Sequence, residues 1–142
     1  MKESITNRFA SNGGIAPSSI PWHVIIHSDK KFKCGGTILD KNTILSVANC
    51  FLNNPKDSYV RAGITLKDDQ NGQTVAIKQI IIHPQFDRFT NDIDISILKL
   101  KDSLQFDDFV QPACLPELNF DRENNLEWGV ASGWTSISEG IY

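Results

Sequence analysis

The chain has 142 residues, of which 40% are hydrophobic and 22% are charged, enough for one domain with a core of its own. The formal net charge of −3 argues against nucleic acid or an anionic membrane as a partner, because both favour basic surfaces. A membrane helix requires about 20 consecutive apolar residues, and no apolar run in the sequence approaches that length. No apolar stretch follows Met1, so the sequence also predicts no signal peptide.

The first part of the chain, residues 1–20, is polar and rich in glycine and serine, which predicts a flexible amino-terminal arm. From residue 21 onward, short apolar or β-branched runs alternate with turn-forming residues. The runs predicted to form strands are 22–27, 32–39, 43–48, 58–63, 73–82 and 93–100. Between the first two, the basic cluster Lys30–Lys33 is predicted to be a solvated turn.

No part of the sequence shows a convincing helical period, so several short strands predict a closed barrel or a sandwich. The last run shows an apolar/polar alternation at Ile95, Ile97 and Lys99. The fold class predicted from these patterns is all-β.

The stretch from Cys34 to Cys50 contains two of these runs, separated by the polar turn Asp40-Lys41-Asn42. A cysteine stands at each end, so a disulfide could close this hairpin on itself. Such a bridge would close a loop of about 16 residues and stabilise the fold by about 3 kcal/mol on the chain-entropy estimate. The pair Gly35-Gly36 predicts a close approach of the backbone to another element.

The same stretch resembles a segment of the trypsin/chymotrypsin-type serine proteases (peptidase S1), which reads Cys-Gly-Gly-Ser/Thr-Leu/Ile, then a turn, then Ala-Ala-His-Cys. Six further landmarks of that family occur in the right order. One lies upstream of the stretch, Pro21–Val24, and five lie downstream: Val60–Gly63, Ile82–Pro84, Asp94–Leu100, Gln111–Pro116 and Ser132–Trp134. The resemblance implies a six-stranded antiparallel Greek-key barrel, the first of the two barrels of the trypsin-like fold. It assigns residues 21–142 to this partial protease domain and supports a Cys34–Cys50 disulfide.

The resemblance places Asn49 where the family has its catalytic histidine, and Asp94 where it has the aspartate of the triad. A carboxamide has no basic nitrogen to shuttle a proton near neutral pH, and no Gly-Asp-Ser-Gly occurs in the chain. The chain is therefore predicted to be non-catalytic, with Asn49 and Asp94 as vestigial triad positions. Asp94 either accepts hydrogen bonds from Asn49 and nearby amides or is simply solvated. None of His23, His27 and His83 occupies a catalytic position.

The third cysteine, Cys114, has no local pairing, which indicates either a bond to another chain or a free thiol. In the family, a cysteine in this Cys-Leu-Pro setting commonly bridges to an amino-terminal propeptide or light chain. A buried free thiol is the alternative.

The resemblance also raises a calcium loop, whose ligand positions fall at about Ile64 and Thr74. A hard cation prefers oxygen donors, and Asp68-Asp69 within the loop are more simply a solvated turn. The histidines show no zinc spacing. We therefore expect no metal and no cofactor.

These observations favour a non-catalytic serine protease homologue that acts by binding, for example in regulating a proteolytic cascade. The alternative is the amino-terminal chain, or an inactivated fragment, of an active trypsin-like serine endopeptidase. A free-standing half-fold ranks lowest, because removing one barrel would expose an apolar patch. A protein partner is therefore predicted: a second barrel chain, another copy or another protein, with Cys114 as the candidate for an interchain disulfide. The resemblance implies an extracellular location.

Overall fold

The computed structural model describes residues 8–10, 20–53, 57–65, 69–117 and 132–134. Within these residues the strands, in chain order, are β1 (Arg8–Ala10), β2 (His23–Ser28), β3 (Lys31–Asp40), β4 (Thr43–Ser46), β5 (Tyr59–Ala62), β6 (Gln73–Ile82), β7 (Ser96–Leu100) and β8 (Ser132–Trp134). A single turn of 3-10 helix, Asn49–Phe51, follows β4. No helix in this described part of the chain is long and apolar enough to cross a membrane.

Strands β2 to β7 close into one barrel in the order β2-β3-β4-β7-β6-β5, and every neighbouring pair is antiparallel. After the meander β2-β3-β4, β5 returns to pair with β2, which is the Greek-key arrangement. The prediction of an all-β, six-stranded antiparallel barrel is confirmed.

Two tight hairpins set the register of β2, β3 and β4. Asp29 and Lys30 both have positive φ angles, 50° and 63°, as a type I′ turn requires. The turn at residues 40–42 forms where it was predicted, because Oδ1 of Asp40 accepts a hydrogen bond from the Asn42 amide at 2.8 Å. This amide lowers the pKa of the Asp40 carboxyl, and Thr43 and Lys99 add to the effect. The basic cluster is exposed as expected, but Lys31 to Lys33 belong to β3 rather than to a turn.

The core lies inside the barrel, because alternate residues of each strand point inward. Fully buried aliphatic side chains from several strands meet there: Val24, Ile26, Ile38, Ile44, Val60 and Leu98. A second, smaller cluster joins Ile25, Ile64 and Trp134 on the outer side of β2. This second cluster attaches β8 to the barrel.

The run at residues 93–100 differs from its prediction. β7 begins only at Ser96, and its buried residues are Ser96, Leu98 and Leu100 instead of the set Ile95, Ile97 and Lys99 that marked the alternation. The cause is local: Ile93 has a φ of 54°, and the Ile95 amide donates to the carbonyl of Ile93 at 2.8 Å. This tight turn delays the start of the strand.

Within the predicted arm, residues 8–10 form a strand. Arg8–Ala10 form β1, which pairs with β8 in a two-stranded sheet separate from the barrel. The other residues of the arm up to residue 19 lie outside the described part of the chain, as do residues 54–56 of the turn before β5. The assignment of all of residues 21–142 to one domain stays a prediction.

Candidate functional site

Asn49 and Asp94, which the sequence predicts to be vestigial triad positions, lie side by side. The Asn49 backbone amide donates a hydrogen bond to Oδ1 of Asp94 at 2.7 Å. Neighbouring strands bring together these residues, which are 45 positions apart, because β4 leads into the 3-10 turn at Asn49 and Asp94 precedes β7. Of the two alternatives for Asp94, the structure has the hydrogen-bond acceptor.

Covalent and polar contacts hold both ends of this pair. A disulfide joins Cys34 of β3 to Cys50, the residue directly after Asn49. On the other side, Oγ of the buried Ser96 donates to the carbonyl oxygen of Val47 at 3.0 Å. The backbone around Asn49 is therefore tied to β3 and to β7.

The backbone before Asp94 is unusual. Asn91 and Ile93 have φ angles of 58° and 54°. A left-handed conformation is tolerated by asparagine but strained for a β-branched residue such as isoleucine. Strain of this kind persists where the surrounding structure over-determines it, often at functional sites. Here it turns the chain so that the Asp94 side chain reaches the Asn49 amide.

The chemistry open to this pair is limited by the residue type at position 49. In a Ser-His-Asp triad, the base accepts the serine proton and returns it to the leaving group, while the aspartate orients the base. The Asn49 carboxamide can donate and accept hydrogen bonds but has no nitrogen with a useful basicity. Asn49 and Asp94 can therefore stabilise a backbone turn or contact a ligand. Asn49 cannot act as a general base.

Beside this pair lies a cleft of about 550 Å³. It is lined by residues of β2, β3, β4 and β8 together with Val47, Asp94 and Ile95. Phe32, Val47 and Ile95 on its walls are 43%, 39% and 40% exposed, so the opening is largely apolar. Asp94 contributes the carboxylate on this wall, which makes the cleft an apolar surface with an acidic side.

The floor of the cleft depends on closely packed backbone at the start of β3. A side-chain carbon at Gly36 would lie 2.7 Å from Cγ2 of Ile44, so only glycine fits without a shift. Oγ of Ser46 donates to the Gly35 carbonyl at 2.9 Å. The close approach predicted for the pair of glycines is therefore found at Gly36.

His23 also lines the cleft, which no local sequence pattern predicted. Its Nε2 lies 3.3 Å from Oγ of Ser132, and its ring lies 5.7 Å from the Trp134 ring, centroid to centroid. These contacts bring β8 against β2 across 109 positions of sequence. Serine and histidine that far apart form no local pattern, so only the motif at Ser132–Trp134 hinted at the contact.

Cys114 is an exposed free cysteine. The preceding residue, Ala113, donates its amide to the carbonyl of Ile38 at 2.9 Å, which places this segment along β3. The alternative of a buried thiol is therefore wrong. The interchain disulfide stays a prediction, and Cys114 does not line the cleft.

The loop raised as a calcium site has an apolar residue at its first position. Ile64 is 1% exposed and packs against Trp134 and Ile25. The Arg61 guanidinium donates to the carbonyl of Asp69, so a cation of the protein itself reaches this loop. Among the described residues, no group of three or more histidine, cysteine, aspartate or glutamate side chains could hold a metal ion.

The family model described as Trypsin matches residues 12–141. Ovochymase-2 of Mus musculus is 33% identical over 144 aligned residues, which cover 96% of this chain and 23% of the relative. The chain thus spans about a quarter of the length of this curated relative.

Proposed function

Because the chain belongs to the trypsin-like family of serine proteases, we propose that it is a non-catalytic member that acts by binding another protein. One observation carries this proposal. Asn49 stands beside Asp94, at the position that the family motif assigns to the catalytic histidine, and the Asn49 amide already engages the Asp94 carboxylate. Without a base at this position, the serine of a triad would have no proton acceptor.

The surface proposed for binding is the cleft beside Asp94. Its walls expose Phe32, Val47 and Ile95, and exposed apolar surface of this kind marks interaction sites. We therefore infer a protein partner that covers this face: a second barrel chain, another copy or an unrelated protein. Regulation of a proteolytic cascade would follow if that partner is a protease or its substrate.

Two cysteine observations support an extracellular setting. Disulfides such as Cys34–Cys50 form and persist in oxidising compartments. The exposed thiol of Cys114 would be available there for a disulfide to a second chain. We propose that the protein is extracellular and that Cys114 is its interchain cysteine.

The second candidate function is an active trypsin-like serine endopeptidase of which this chain is the amino-terminal chain or an inactivated fragment. The geometry around Asp94 favours this second candidate, because the disulfide at Cys50 and the Ser96 hydrogen bond both hold position 49 next to the carboxylate. In this case histidine at position 49 would restore proteolysis once a second chain supplies the serine of the triad.

The experiment that separates the two candidates compares the native protein with Asn49→His and Asn49→Gln variants. Each is isolated without reductant, combined with the second half of a trypsin-like domain that supplies the triad serine, and tested on peptide substrates with basic, aromatic and small residues before the scissile bond. The proposal predicts no hydrolysis by the native protein or by either variant. Hydrolysis gained by Asn49→His alone supports the endopeptidase alternative, and inhibitor-sensitive hydrolysis by the native protein overturns the proposal.

A further inference from the structure

The loop before β6 contains an asparagine followed directly by a glycine, Asn71-Gly72. Asn71 is exposed, and its backbone amide donates a hydrogen bond to Oδ1 of Asp69 at 3.0 Å. The Asn71 side chain makes no hydrogen bond within the residues that the structure describes. The main chain of Asn71 is therefore held at the surface, while its carboxamide stays open to water and to the next peptide bond.

The amide nitrogen of Gly72 is the nearest nucleophile along the chain. It makes no hydrogen bond in the described part of the protein, and strand pairing begins one residue later, where Gln73 lies opposite Ala62. Glycine has no side chain that could shield its own amide nitrogen from the preceding carboxamide. Both groups are thus free to meet.

The turn between β3 and β4 contains a matched asparagine. The amide of Asn42 donates to Oδ1 of Asp40 at 2.8 Å, the same contact across two positions that Asn71 makes. However, Oγ of Ser103 donates to Oδ1 of Asn42 at 3.0 Å, and the next residue is the buried, β-branched Thr43. A stiff, branched side chain crowds the amide that would have to attack. Asn42 is therefore protected where Asn71 is not.

We propose that Asn71 is a site of deamidation, a covalent modification for which water is the only other reactant. The Gly72 nitrogen attacks Cγ of Asn71 and loses its proton, and the side-chain nitrogen of Asn71 leaves as ammonia. Water then opens the cyclic imide at one of its two carbonyls. Opening at one carbonyl gives aspartate, and opening at the other gives isoaspartate, in which the main chain runs through the former side chain. This proposal does not depend on whether the protein is catalytic.

The isoaspartate product lengthens the main chain at a closely packed point. A side-chain carbon at Gly72 would collide with Cγ2 of Ile64 and would lie 2.5 Å from the Ala62 carbonyl oxygen, so little space remains on that side. The next residue, Gln73, exchanges two hydrogen bonds with Gln105, at 2.7 and 2.9 Å. An added main-chain atom displaces these contacts, so isoaspartate at position 71 loosens the paired ends of β5 and β6.

The test incubates the full chain without reductant at neutral pH and physiological temperature, and locates deamidation by mass spectrometry of proteolytic peptides. All proteins carry Asn12→Gln, because Asn12 also precedes a glycine. The proposal predicts that Asn71 is modified faster than Asn42 by about tenfold or more, a barrier difference of about 1.4 kcal/mol. The rate should rise with pH, because the attacking Gly72 amide must lose its proton. Asn71→Gln should abolish the modification, since its longer side chain closes a ring less readily. Equal rates at Asn71 and Asn42 would overturn the proposal.

A second measurement separates the added charge from the lengthened main chain. Ion exchange isolates the deamidated protein, peptide mapping identifies the isoaspartate fraction, and the Asn71→Asp variant carries the same charge on an ordinary main chain. Amide hydrogen exchange at Tyr59–Ala62 and at Gln73 should be faster by about tenfold or more in the isoaspartate fraction than in Asn71→Asp. Equal exchange in these two proteins would show that the strand ends stay closed and would overturn this consequence.

Discussion

At Gly36 of β3, the neighbouring side chains leave no room for a substituent. A side-chain carbon there would lie 2.7 Å from Cγ2 of Ile44 and 3.0 Å from Cγ2 of Val24, whereas at Gly35 the nearest atom is the Val24 carbonyl oxygen at 3.9 Å. Gly36→Ala should therefore lower the free energy of unfolding by about 1–3 kcal/mol through overpacking. Urea denaturation measures the change.

The adjacent substitution Gly35→Ala is the matched control for this prediction. It adds the same methyl group to the same strand in ordinary van der Waals space. We expect a change of less than about 1 kcal/mol, and a small gain in stability is consistent with reduced freedom of the unfolded chain. Equal losses from both substitutions would show that strand propensity, and not the contact with Ile44, determines the outcome.

His27 is the residue for which the structure predicts a pH dependence. Burial lowers its pKa from the usual value of 6.5, and the nearby Arg61 lowers it further. Its Nδ1 has no hydrogen-bond partner among the described residues, and its ring stacks on Tyr59 with centroids 5.1 Å apart. The folded state therefore favours the neutral imidazole.

The sign follows from proton linkage. As the pH falls below 6.5, the unfolded chain takes up a proton at His27 before the folded chain does, so the free energy of unfolding decreases. The loss is complete below the folded-state pKa. We expect His27→Gln to lose less stability than the unmodified chain between about pH 7.5 and pH 5.5, as measured by urea denaturation at both pH values.

The variant His83→Gln controls for removing a histidine elsewhere. It lies on the loop after β6, outside the contact between His27 and Tyr59. The difference between the two variants therefore isolates the contribution of the buried His27 ring. If His27→Gln and His83→Gln reduce the pH dependence of stability equally, burial of His27 is not its source.

At the scale of elements, the Cys34–Cys50 disulfide joins β3 to the 3-10 turn across 16 residues of sequence. Replacing both cysteines by serine should lower the free energy of unfolding by about 3 kcal/mol, since the unfolded chain regains the freedom that the closed loop removes. Cys114→Ser removes an exposed free thiol and should change stability by less than about 0.5 kcal/mol. Chemical denaturation of the two variants without reductant checks this difference, and a loss confined to Cys114→Ser would contradict it.

Strands were predictable from the sequence where glycine or proline residues mark their ends. β6 runs from Gln73 to Ile82 as predicted, because a β-branched run is bounded by Gly72 and Pro84. The start of β7 was not predictable. Ile93 and Ile95 read as strand residues, but the left-handed backbone at Ile93 delays pairing until Ser96. That conformation accompanies the hydrogen bond between Asn49 and Asp94, residues 45 positions apart, and no local pattern encodes such a contact.

The 3-10 turn and the strand β1 were missed for related reasons. A turn of three residues, Asn49–Phe51, is too short to produce a helical period. β1 is a strand because β8 offers an edge to pair with, and its partner lies at the other end of the chain. Pairing across such a distance is invisible to local propensity.

At the scale of the whole molecule, the site was predictable only in part. The family motif identified Asn49 and Asp94 as spatial neighbours, and the structure joins them by a hydrogen bond. The carboxamide of Asn49 has no basic nitrogen, so the residue type at position 49 excludes general-base catalysis there. The contact of His23 with Ser132 on the cleft required the three-dimensional fold, because it links the first strand of the barrel to a segment beyond it.

The central claim is that the protein binds a partner without cleaving it. The most direct measurement treats the native protein, purified without reductant, with a fluorophosphonate probe and follows both peptide hydrolysis and intact mass, before and after reduction. We predict no inhibitor-sensitive hydrolysis, together with a larger species that yields this chain on reduction if Cys114 links it to its partner. Hydrolysis that the probe abolishes as it labels the protein would contradict the account.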